Sequence, residues 1–203
     1  MANRPNPAGP VSKRSGEHAI DALARRVVEV VADRQSSLER RLDAALLRRF
    51  CEAVSALDSK EHVLLVAEMM ASGVRAEDIT DLYVPAAARV LGDRWCEDNM
   101  SFADVTIGSA RLQSLLRWVG PEWQPGWKTP VNAPLVLVYV RPDEYHTLGA
   151  MVATGQLRRA GCEVLLHIGY DRAETLDVIE REPIDIVMIS ASGGERLESV
   201  RKL

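Results

Sequence analysis

Six consecutive residues, Glu144-Tyr145-His146-Thr147-Leu148-Gly149, carry the most specific chemistry in this chain. A carboxylate stands two positions before an imidazole. In that order the carboxylate can accept the proton of one ring nitrogen and leave the other as a neutral ligand for a metal ion. Ligation requires the unprotonated ring, so affinity is expected to weaken as the pH falls towards about 5. A lone histidine on a loop would read as an ordinary solvated side chain. The residues on either side favour the ligand reading.

Before the motif runs Leu135-Val136-Leu137-Val138-Tyr139-Val140, six apolar residues that read as a buried strand of a parallel sheet. The loop after such a strand lies at the carboxyl edge, where open α/β sheets bind ligands. After the motif the pattern predicts a helix at about 147–160 ended by Gly161, a strand at about 163–168 and a helix at about 172–181. A third strand, 184–190, follows Pro183. The βαβαβ order predicts a doubly wound parallel sheet with right-handed crossovers.

Upstream the period is helical. Residues 1–16 hold three prolines and two glycines and read as a flexible tail. Residues 17–119 read as a bundle of four or five helices. One stripe is Ile20, Leu23, Val27, Val30 and Val31; another is Leu38, Leu42, Leu46, Phe50, Val54 and Leu57. Asp58 with Glu61 resembles a capping box, and Gly73 suits a helix end. Ser101 with Asp104 repeats the start signal ahead of Ile107, Ala110 and Leu115. Pro85 is expected to kink or restart a helix near Tyr83. Four prolines and two glycines make residues 120–134 a linker. Residues 135–203 then form the sheet domain. The chain stops at Leu203 in what reads as a third helix, so that sheet is expected to be incomplete, with an apolar edge left open.

Bulk composition narrows the options. Of 203 residues, 47% are hydrophobic and 27% charged, with a net charge of -4. That balance argues against gripping duplex DNA through a broad basic face. The pairs Arg25-Arg26, Arg40-Arg41 and Arg48-Arg49 are interleaved with acids and read as solvated helix faces. No apolar run reaches membrane-spanning length, and no signal-peptide core is present. Cys51, Cys96 and Cys162 are scattered, which implies a reducing cytoplasm with no disulfide framework and no zinc site.

A helical bundle followed by a flavodoxin-like (Rossmann-like) sheet domain resembles the plan of cobalamin-binding modules. Their signature is Asp-x-His-x-x-Gly, then about forty residues, then Ser-x-Leu, then a later Gly-Gly. Here Glu144 replaces Asp, and Ser190-Ala191-Ser192 stands at the second element with Ser192 replacing Leu. Gly193-Gly194 comes too early to match the later Gly-Gly. Residues 81–98 (Asp81-Leu82-Tyr83-Val84-Pro85 through Trp95-Cys96-Glu97-Asp98) and 101–108 resemble the cobalamin-binding antirepressors of photosystem gene expression, the AerR/PpaA type. That resemblance implies a light-responsive transcriptional regulator, not an enzyme. Its partner would be a DNA-binding repressor protein, with no direct DNA reading and no membrane.

Carried over residue by residue, the resemblance makes His146 the lower axial cobalt ligand and Glu144 the carboxylate that orients it. Glu144 is longer than Asp and is expected to orient the ring more loosely. The resemblance places Gly149 beside the nucleotide tail and Ser190 and Ser192 near its buried end. Tyr145, Thr147 and Leu148 complete the binding loop, and Trp95 covers the upper corrin face. Cobalamin photoreceptors of the CarH type follow that tryptophan, after nine residues, with Glu-His. This chain has Val105-Thr106 there, so hydroxo- or aquocobalamin is the expected form. His18 is a candidate for the vacant upper face. Heme is the alternative cofactor, and a corrinoid carrier for methyl transfer the alternative function. A flavin or phosphate reading lacks a Gly-rich loop after the first strand. Core packing competes with cofactor contact for Trp95. Trp118, Trp123 and Trp127 are read as glue between the two halves, with a protein partner as the alternative for Trp123 and Trp127, and His62 and His167 as structural.

Overall fold

The computed structural model describes residues 42–58 and 60–192. The expected tail, the first apolar stripe, His18 and the helix after the third strand lie outside the described residues. The described residues from Asp43 onward belong to one compact unit.

The helical layer is built from α1 (Ala44–Ser55), α2 (Glu61–Ala71), α3 (Val84–Cys96) and α4 (Phe102–Val119). Asp43 caps α1, its side chain accepting from the amides of Ala45 and Leu46. Phe50 and Val54 of the expected stripe are fully buried. Leu57 is not: the helix ends at Ser55, so Leu57 falls beyond it and is fully exposed. The capping box at Asp58 does not form. Asp58 instead accepts from the amide of Lys60 at 2.9 Å, a local turn, and α2 starts without a side-chain cap. Gly73 ends α2 as expected, with φ +95°. The amides of Gly73 and Val74 donate to the carbonyls of Met70 and Met69, satisfying two orphan acceptors.

Pro85 restarts the helix after a π-helical turn, Ile79–Tyr83. Its missing N–H cannot serve an α-helical bond to the turn before it, and the wider turn absorbs that loss. Ser101 caps α4 through the amide of Asp104. The buried face of α4 is Gly108, Leu112, Leu115, Leu116 and Val119. Ile107 and Ala110 of the expected stripe face outward. Close packing at Gly108 turns the helix this way, since a Cβ there would lie 2.7 Å from Leu91 Cδ1.

The sheet half follows the predicted order: β1 (Leu135–Val140), α5 (Leu148–Arg159), β2 (Glu163–Ile168), α6 (Arg172–Arg181) and β3 (Ile186–Ser190). Ile184 and Asp185 precede the third strand rather than open it. Asp185 instead accepts from the Leu135 amide and donates to the Leu135 carbonyl, fixing the lower edge of the sheet. All pairing is parallel, in the order β2-β1-β3. Val136, Val138, Val140 and Val164 pack with Ala150 of α5. Five buried residues in β1, at roughly 1.5–3 kcal/mol for each large apolar side chain, make it the anchor of this half. Ile186, Val187, Met188 and Ile189 of β3 are all exposed. No described helix is long and apolar enough to cross a membrane.

Candidate functional site

The strand order decides where a site can form. From central β1 the chain crosses to β2 on one side, then to β3 on the other. The crevice between the carboxyl ends of β1 and β3 is therefore the topological switch point, where ligands of such sheets bind. Arg141, Asp143, Glu144, Ser190 and Ala191 line it.

At the end of β1, Arg141 donates to Asp143 through Nε and an amino nitrogen, at 2.9 and 2.5 Å. The Glu144 amide donates to the Arg141 carbonyl at 3.0 Å, and this tight turn carries the Glu144 side chain inward. Glu144 is only 5% exposed, and each oxygen takes two partners. Oε1 accepts from the His146 amide at 2.8 Å and from His146 Nδ1 at 2.9 Å. Oε2 accepts from the amide and the hydroxyl of Ser192, both at 2.8 Å. The expectation that a longer carboxylate orients the ring loosely is overturned. Its extra methylene lets Glu144 span from the loop after β1 to the loop after β3, and four hydrogen bonds hold it. The two departures from the cobalamin signature, at 144 and 192, touch one another.

Burial pushes the Glu144 carboxyl up, but the donors from His146 and Ser192 outweigh it and hold the group well below the ordinary glutamate range. An ionised carboxylate only accepts, so Nδ1 of His146 carries a proton; in the neutral ring the lone pair is then on Nε2. The His146 side chain is 76% exposed. Nε2 is thus oriented and accessible. Among the described residues no cluster of three or more His, Cys, Asp and Glu side chains could hold a metal ion.

The rest of the motif divides. Tyr145 is 82% exposed. Leu148 begins α5, and Gly149 follows it on the surface, with open space where a Cβ would project. Thr147 occupies the capping position of α5 but has helical backbone angles and makes no capping bond. Its hydroxyl accepts from Gln113 Nε2 of α4 at 3.0 Å. Phe102, Thr106, Ser109 and Gln113, spaced four, three and four residues apart, share one face of α4. That face reaches from the His146 loop along about 16 Å of helix to Phe102.

Trp95 is half-exposed, so core packing does not explain it. Its ring meets Phe102 at 6.4 Å between centroids, and the two form an exposed aromatic pair at the far end of the Gln113 face. Thr106 bonds its hydroxyl to the Phe102 carbonyl, and this face offers no imidazole among the described residues. Trp123 behaves as glue: the Arg158 guanidinium lies 4.7 Å over its ring. Trp118 and Trp127 do not, since both are exposed. The inward side of α4 is filled by Leu115, Leu116 and Val119, which leaves Trp118 outside. His62 is buried, and His167 stacks on Tyr170 at 4.3 Å, in keeping with structural roles.

A buried polar cluster was not legible in the sequence. Arg159 of α5 donates to both oxygens of Asp81 on the π-turn, at 2.6 and 2.7 Å, and to Glu122, which is 2% exposed. Arg158 donates to the Glu122 and Val164 carbonyls. The stretch after α4 is therefore anchored at its start. Ser192 as partner of Glu144 was equally hidden, because 48 residues separate them. Gln113 and Phe102 could have been found by extending the α4 stripe from the Ser101 cap.

Comparison with known proteins bears on the cofactor. Residues 46–119 match the family model described as a B12 binding domain. The chain is 33% identical over 140 residues to an uncharacterized 20.5 kDa protein in the bchF-crtJ intergenic region of Rhodobacter capsulatus, covering 69% of this chain and 73% of that protein. It also resembles the 1.5 Å crystal structure of a novel cobalamin-binding protein from Desulfitobacterium hafniense DCB-2. That likeness has 20% identity and a TM-score of 0.36, over 79% of this chain and 74% of that one.

Proposed function

We propose, from the premise that this chain belongs to the same family as the Rhodobacter capsulatus bchF-crtJ intergenic-region protein and carries the B12 binding domain match over residues 46–119, that it is a corrinoid-binding regulator and not an enzyme. One observation carries the binding site. A buried carboxylate fixes the proton of His146 on Nδ1 and leaves Nε2 open at the binding edge of the sheet. When bound, the corrinoid would supply a cobalt ion; His146 would hold it, with Glu144 keeping the tautomer of the ring. Ser190 and Arg141 border the crevice available to the nucleotide tail. Trp95 and Phe102 offer an exposed apolar wall at the far end of the α4 face, without an imidazole of their own. That wall suits hydroxo- or aquocobalamin.

The regulatory half of the proposal is an antirepressor that binds a DNA-binding repressor protein. Its support is the likeness of residues 81–98 and 101–108 to photosystem antirepressors. The helical layer and the sheet meet at α4 and α5, next to His146. A ligand there biases partner binding by its differential affinity for two arrangements of these elements. The decisive experiment records absorption spectra with hydroxocobalamin, and with heme as comparison, for wild type and His146→Ala. A spectral shift with hydroxocobalamin that disappears in the variant supports the site; identical spectra for both proteins refute it. Gel-shift assays of the repressor on its promoter, with and without loaded protein, test the second half. Release of DNA only by the loaded protein is the expected result, and no effect of loading would refute it.

A further inference from the structure

Thr147 breaks a local rule. A threonine at the start of a helix ordinarily turns its hydroxyl onto the amides of the first turn. Here the backbone at 147 is already helical, with φ -87° and ψ -19°, and no such bond forms. The hydroxyl is instead engaged across the fold by Gln113 of α4, at 3.0 Å. Violations of local preference concentrate where a structure is committed to something besides stability.

The consequence lies one residue away. His146 is attached to the protein from two sides. On one side Glu144 holds its amide and Nδ1, which sets ring rotation and tautomer. On the other side Thr147 ties the backbone to the helical layer. Within the loop, the Thr147 amide donates to the Tyr145 carbonyl at 3.1 Å, and the Met151 amide to the Thr147 carbonyl at 3.1 Å. Glu144 cannot set the distance of the imidazole from α4, because its second anchor, Ser192, belongs to the sheet half. Gln113 is half-buried and bonds directly across to the loop.

We infer that Gln113 is a positioning residue for His146, acting through Thr147 to hold the ligand loop at a fixed distance from the helical layer. This deepens the corrinoid reading and rests on it for its effect on ligand binding. Its effect on the loop stands without any ligand. The helical layer thereby takes part in setting the geometry of a ligand carried by the sheet.

The test uses the full chain with Gln113→Leu, Thr147→Val and the double variant. In the protein without cofactor, hydrogen exchange of the amides at 144–148 is expected to quicken by about threefold to tenfold in each single variant, the range for one net hydrogen bond. The double variant should add nothing further, since one bond is lost in all three. Thr147→Ser keeps the hydroxyl and should restore the wild-type rate. With hydroxocobalamin as probe, the same variants should weaken binding by a similar factor and broaden the imidazole-ligated absorption band, while melting temperatures stay close to wild type. Unchanged exchange at 144–148, or additive effects of the two substitutions, would overturn the inference. Failure of the wild type to bind hydroxocobalamin would sink the corrinoid reading instead, and the exchange measurement would still decide the role of Gln113.

Discussion

Glu144→Gln is the sharpest perturbation this fold offers, because the carboxamide has nearly the same shape and the wrong chemistry. The carboxylate accepts on both oxygens, from His146 N, His146 Nδ1, Ser192 N and Ser192 Oγ, at 2.8–2.9 Å. Two of these partners are backbone amides that can only donate. A glutamine presents one oxygen and one NH₂, so in either orientation its NH₂ confronts one of those amides. Turned towards Ser192, it leaves a buried N–H without an acceptor. Turned towards His146, it also forces Nδ1 to accept, which moves the ring proton to Nε2 and removes the ligand lone pair. A hydrogen bond to a charged group is worth about 1.5–3 kcal/mol and an orphaned buried donor costs about 1–3 kcal/mol. A total of about 3 kcal/mol is expected. At roughly 2–4 °C per kcal/mol for a unit of this size, melting should fall by about 6–12 °C. Differential scanning calorimetry reads the stability, and titration with hydroxocobalamin reads the ligand, which should bind at least tenfold more weakly. A variant that melts within about 2 °C of wild type and binds equally well would refute this account of Glu144.

Four further outcomes follow from other parts of the fold. Glu144 titrates far below the ordinary glutamate value of 4.5, so its stabilisation is complete above that pH and is lost as the pH falls further; acid unfolding of wild type and Glu144→Gln should converge below about pH 4.5, and parallel curves would contradict this. Burial, then Arg111, lowers the pKa of His62 below 6.5, so folding should weaken as the pH drops through 6.5, and His62→Gln should flatten that limb of the denaturant-midpoint profile. Arg159→Met leaves Glu122 and Asp81 without their cation in a buried site and should cost about 3–5 kcal/mol by urea unfolding. Gly73→Ala places a side chain at φ +95° with open space around it, so only backbone strain of about 1–2 kcal/mol should appear in the same assay.

Local signals carried much of the fold. The apolar run at 135–140, Gly161 at a helix end, Ser101 as a cap and the switch from helical to alternating elements lie within a few residues of what they specify. Those elements formed where the chain predicted them. Departures arose where a competing local bond or packing overrode the expected pattern. Asp58 and Glu61 had capping spacing, but the turn at Lys60 used Asp58 first. Ile107 and Ala110 had helical periodicity, but the contact of Gly108 with Leu91 rotated them outward.

For the site, the sequence by itself determined the residue types: a histidine on the loop after a buried strand, a carboxylate two residues before it, and serines at 190 and 192. Chemistry and spacing along the chain suffice for that, because a strand end and its loop are local. Only the tertiary structure decided how those residues act. It brought Ser192 to Glu144 across 48 residues, which turned an apparently loose carboxylate into a buried one with four donors. It brought Gln113 to Thr147 across 34. Both contacts depend on the strand order β2-β1-β3 and on the packing of α4 against α5. Those arrangements are set by the summed burial of many apolar side chains, and no single segment of the chain encodes them.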